Sequence, residues 1–151
     1  MPLLQDIRSL FARREPRKVT LEGIGEFHEE RRYGWWTGGV WLAARKDFVG
    51  VCFETGGQPP GEREARFWRR VADQWPELWQ AILSDLRRGL FFHSAADAEE
   101  YFAGIRPNAF GFDDLTPGDE RWEIEVQPDY SEHLMTLRMR GLKYQSNRLD
   151  G

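Results

Sequence analysis

Cysteine is nearly absent from this chain: Cys52 is the one thiol among 151 residues. A lone thiol forms no intramolecular disulfide, which excludes the stapled frameworks of small secreted domains. Histidine is scarce too. His28, His93 and His133 stand far apart, with no HxH or HxxxH spacing. His28-Glu29-Glu30 begins like a zinc-protease motif, but Arg32 occupies the position where the second histidine ligand would fall. No metal and no cofactor is expected on these grounds, and the acidic run Asp113, Asp114, Asp119 and Glu120 lacks the alternating spacing of a calcium loop.

Long apolar runs are missing as well. No stretch approaches the roughly 18 apolar residues of a membrane span, and Asp6 and Arg8 interrupt the early leucines, so no secretory leader is expected. A cytoplasmic location and no membrane partner follow as expectations. Nor is there an excess of one charge sign: 25 acidic and 21 basic residues give a net charge of −4 and are interspersed. Without a basic field, nucleic acid is disfavoured as a partner.

What the chain does have is large rings, with seven tryptophans and ten phenylalanines. Each can bury roughly 150–250 Å², enough for a handful to anchor one core. The length suits a single domain over residues 1–151.

Periodicity predicts a short amphipathic helix over 2–14 (an N-terminal helix or arm within 1–16), with Leu3, Leu4, Ile7, Leu10 and Phe11 on one stripe. From Lys18 to Glu54 the period falls to two, predicting an antiparallel meander of three or four strands with Gly23 and Gly25 at a break and Lys46-Asp47 at a tight turn. The segments Trp35–Arg45 and Phe48–Glu54 are apolar on both faces, so cover on both sides is expected: central helices on one, and the N-terminal helix, a second protomer or a partner on the other. Helices are predicted over 62–90, interrupted at Pro76, with Glu62 placed to pair with Arg66. Ser94 reads as the N-cap of another helix ending near Gly104.

The stretch 108–118 reads as turn-rich loop. A final hairpin then places Trp122 near Met139, Ile124 near Leu137 and Val126 near Met135, with Glu123 beside Arg138 outside. The tail at 145–151 lacks an apolar period and reads as loosely held. The fold class expected is α+β: N-terminal helix, antiparallel meander, central helices, and a C-terminal hairpin joining or flanking one sheet.

No reactive constellation stands out. Cys52 sits in an apolar strand, where a thiol behaves as a small hydrophobe. Ser94 beside His93 and near Asp97 is better explained as a cap than as a triad, whose members meet in space from separate segments. The glycine pairs at Gly23/Gly25 and Gly56/Gly57 match no phosphate-binding pattern. Glu26, His28 and Asp114 remain an alternative acid–base set, provided a pocket brings them together.

The aromatic cluster carries more weight. Tyr33, Trp35, Trp36 and Trp41 crowd a short stretch with Gly34, Gly38 and Gly39, and tryptophan dominates binding hot spots.

The run Thr20–Phe27, then Trp35–Gly38, the strand Val49–Phe53 and, more loosely, the hairpin Trp122–Arg140 resemble small bacterial proteins, some similar to immunity proteins of polymorphic-toxin loci. The resemblance implies a cytoplasmic α+β protein that works by binding and carries over no catalytic residue. The leading expectation is therefore a non-catalytic protein that binds a protein partner or itself as a homodimer. A small hydrolase or ligand-binding enzyme built on the carboxylate–histidine set is the alternative, and a structural accessory domain a third.

Overall fold

The structure is a computed structural model that describes residues 15–128 and 133–150. The chain forms β1 (Lys18–Leu21), β2 (Gly25–Glu30), β3 (Trp35–Leu42) and β4 (Asp47–Glu54), and then α1 (Glu62–Asp73), α2 (Trp75–Gly89) and α3 (Ala95–Gly104). It ends in β5 (Arg106–Asp114), β6 (Arg121–Gln127), β7 (Leu134–Arg140) and β8 (Lys143–Asp150).

All eight strands lie in one sheet in chain order. Neighbours are antiparallel except at the centre, where β4 and β5 run parallel with Val51 opposite Phe110 and Phe53 opposite Phe112. Parallel neighbours cannot be joined by a tight turn. The three helices occupy the crossover between them.

This corrects the expected fold class. Among the described residues the chain is one eight-stranded mixed sheet with three helices mid-chain, not separate meander and helical layers, and the C-terminal hairpin joins that sheet instead of flanking it. The helix expected over 2–14 falls on residues outside those described. Two strands were hidden. The supposed loop at 108–118 begins inside β5, where Phe110 and Phe112 are almost fully buried. Pro107 and Gly111 disguise its alternation, and a bulge between Pro107 and Ala109 shifts the period by one residue. The supposed loose tail is β8, paired along its length with β7 from Leu134 opposite Asp150 to Arg140 opposite Lys143. It is an edge strand of mostly exposed polar side chains, so backbone pairing holds it without an apolar face.

The C-terminal alternation does set the register as expected. Trp122 opposes Met139, Ile124 opposes Leu137, Val126 opposes Met135, and Arg138 lies 3.4 Å from Glu123 on the outer face. The helix signals also hold locally. The Ser94 hydroxyl accepts a hydrogen bond from the Asp97 N–H at 3.1 Å, and Pro76 opens α2 one residue after α1 has ended. The expected Glu62–Arg66 pair is replaced: Glu62 instead meets Arg69 at 3.3 Å.

One face of the sheet packs on the helices through a ladder of rings. Phe27, Phe53, Phe112 and Trp122 follow one another across β2, β4, β5 and β6 at centroid separations of 5.2, 5.2 and 5.5 Å. From α1, Phe67 stands edge-on to Phe112 and Trp122, and Trp68 edge-on to Phe110. Tilted and edge-on contacts of this kind contribute about 0.5–1.5 kcal/mol each beyond area burial.

Gly38 makes room at the start of the ladder. A Cβ there would come within 2.5 Å of the Glu26 carbonyl oxygen and 3.0 Å of the Phe27 ring. The next residue, Gly39, faces the other way and has nothing within 4 Å of the same position. Gly38→Ala is therefore expected to lower the unfolding free energy by about 2–3 kcal/mol, against less than about 1 kcal/mol for Gly39→Ala, as measured by urea denaturation.

Candidate functional site

Strand alternation sends Trp35, Thr37, Gly39 and Trp41 of β3 to the side away from the helices, beside Glu54, Cys52, Gly50 and Phe48 of β4. Ala109 and Gly111 of β5 continue the two middle rows. No described element covers this face. Because its central positions carry glycine, alanine, threonine or cysteine, it is hollow: a shallow apolar trough of about 330 Å³ whose floor includes Thr37, Gly50, Cys52 and Ala109.

Two pairs of rings bracket the trough. At one end Trp41 and Phe48 are direct cross-strand partners, with centroids 5.2 Å apart and an edge-on geometry. They remain 50% and 66% exposed, although an apolar pair of this size normally seeks cover. At the other end Tyr33, 55% exposed, stacks on Trp35 at 4.8 Å, and the Arg32 guanidinium lies over the Tyr33 ring. The six-residue separation of Trp35 and Trp41 along β3 spans roughly 20 Å.

The four aromatic residues singled out by the sequence are thus divided. Trp36 is fully buried on the helical side, where a partner cannot reach it. Tyr33, Trp35 and Trp41 lie on or beside the open face. Phe48 was missed as a site residue; the signal available was its place directly across a tight turn from Trp41.

The Tyr33/Trp35 end is acidic. Burial pushes the Glu54 carboxyl above its ordinary range, and the charges of Asp113 and Glu123 push it further. Burial likewise raises Asp113; its backbone hydrogen bond opposes this, while Glu123 and Asp114 add to it. Mutual repulsion of this kind makes a basic group welcome there. Arg32 over the Tyr33 ring, Arg138 at 3.4 Å from Glu123, and Arg121 are cations at or near this end.

The alternative acid–base set does not assemble. Glu26 and His28 meet at 3.0 Å on β2, and both are substantially exposed, with Lys18 3.6 Å from the same carboxylate oxygen. Asp114 is committed elsewhere: it accepts hydrogen bonds from the Thr116 N–H at 3.0 Å and hydroxyl at 2.7 Å, which lower its pKa. Three inter-strand spacings separate β2 from β5, roughly 14 Å. Among the described residues no group of three His, Cys, Asp or Glu side chains is placed to hold a metal ion, and no helix is long and apolar enough to cross a membrane.

Cys52 lies half-buried on the floor of the trough and not in a closed core. Burial, followed by the charges of Glu54 and Glu30, pushes its thiol up to about 12. At about pH 8 the folded chain therefore holds on the order of a thousandfold less thiolate than the unfolded one. Iodoacetamide should alkylate Cys52 correspondingly slowly in the folded chain and readily in urea; equal rates would contradict this placement.

No protein-family model, curated protein or solved structure matches this chain significantly.

Proposed function

We propose that this chain works by binding a protein partner through the open face of its sheet, with Trp41 and Phe48 as the anchor. The observation that carries the reading is the half-exposed Trp41–Phe48 pair standing on an apolar trough that no described element covers. Hot spots combine a large ring with a desolvated surround, and a trough floored by small residues admits the close approach of a second backbone or helix. The acidic end at Glu54 and Asp113 favours a partner that brings a basic residue alongside its apolar ones. An inhibitor of the immunity type, which occludes a toxin by surface complementarity, is the form of this function that the sequence resemblance suggests. A second copy of the chain is the competing occupant.

Wild-type and Trp41→Ala proteins, compared in partner capture and in sedimentation velocity, test the reading. The substitution should weaken the association at least about thirtyfold, as for a hot-spot ring, and leave the melting temperature nearly unchanged because Trp41 is outside the core. Phe91→Ala, at a 90% exposed ring in the α2–α3 connection, should have no effect. Association that survives Trp41→Ala, or that is lost equally in Phe91→Ala, would overturn it.

A further inference from the structure

On the helical side a second concavity lies between α1 and the β5–β6 loop. It is a cleft of about 280 Å³, at the small end of ligand-binding cavities. Its floor is apolar: the buried Phe67 ring and Leu115, with the exposed Pro117 ring as a wall. Three arginines of α1, at positions 63, 66 and 70, follow the three- and four-residue spacing that puts them on one helix face along its edge.

Two of the three guanidiniums are already committed. Arg63 donates to Glu64 at 2.8 and 3.0 Å, and its charge is also felt by Asp114. Arg70 lies over the Phe67 ring at 4.8 Å and donates to the buried Glu120 at 3.1 Å. Glu62, the remaining carboxylate on the rim, is taken by Arg69 outside the cleft. Arg66 is left exposed, with no hydrogen bond or ion pair among the described residues, over an apolar hollow.

We propose that this cleft binds a small monocarboxylate with an aromatic or branched apolar body, its carboxylate held by Arg66 and its body laid between Phe67, Leu115 and Pro117. A guanidinium fork matches a carboxylate in two parallel hydrogen bonds. The charge count selects a single negative charge: one cation is free, while Glu62 and Glu120 line the same cavity and repel a dianion such as a phosphate monoester. The site is separate from the open sheet face and stands or falls independently of it.

Sodium phenylacetate, titrated into the isotope-labelled protein and followed by amide chemical shifts, tests the proposal. Saturable shifts of Arg66, Phe67 and Leu115 with a Kd on the order of 1 mM are expected for so small a ligand. Phenylethanol, which lacks the charge, phenyl phosphate, which carries too much, and Arg66→Gln should each bind at least about tenfold more weakly. Arg88→Gln, on α2 and outside the cleft, should bind as the wild type does. Any of the following would overturn the proposal: no saturable shift up to about 20 mM, equal binding of phenylethanol, equal or tighter binding of phenyl phosphate, or an Arg66→Gln protein that binds as well as the wild type. Equal loss in Arg88→Gln would also overturn it, since it would show a general effect of net charge.

Discussion

The parallel pairing of β4 with β5 is the constraint from which the rest of the architecture follows. Two parallel neighbours need a long crossover, and here that crossover holds all three described helices. The helices lie over one face of the sheet, where Phe53 and Phe112 form the middle of the ring ladder and Trp68 of α1 meets Phe110. On either side of the central pair neighbouring strands are antiparallel and consecutive in sequence, so β3 to β1 and β6 to β8 spread outward as two meanders. The helices close one face, and the described chain leaves the other open.

That asymmetry explains why two kinds of surface coexist in the same strands. In β3 and β4 the helix-facing positions are Trp36, Val40, Val49, Val51 and Phe53, all at most 3% exposed. The opposite positions are small except at the ends, which produces a hollow and not a second core. With half of Trp41 and two-thirds of Phe48 exposed, the burial forgone is of the order of 1–2 kcal/mol per ring, a cost that the proposed partner would recover on association. The arginine-edged cleft arises differently, where α1 overhangs the β5–β6 loop and one guanidinium is left over after its neighbours have paired.

Where a strand alternates cleanly or a helix carries a strong end signal, its place was legible in the sequence. Trp122, Ile124 and Val126 against Met135, Leu137 and Met139 specified a register that the structure keeps, and Ser94 and Pro76 marked helix starts. The two-sided apolarity of β3 and β4 was legible too, although only one side proves to be covered by described residues. What escaped was governed by backbone pairing or by irregularity. β5 contains a proline, a glycine and a bulge that break its period, and β8 is an edge strand with little to bury. Missing β5 concealed the parallel pair, and with it the fold class. The split of the aromatic cluster was present in the alternation, since Trp35 and Trp36 must face opposite ways. The trough and the cleft depend on strand and loop neighbours distant in sequence, which no local pattern records.

Native-state hydrogen exchange resolved by residue tests the central role of the β4–β5 pair most directly. If the two meanders are joined through it, amides of Val49–Phe53 and Phe110–Phe112 should exchange only through global unfolding and be the slowest in the chain, with β1 and β8 opening first. Exchange of the β4 and β5 amides as fast as those of β1 or β8 would contradict the account.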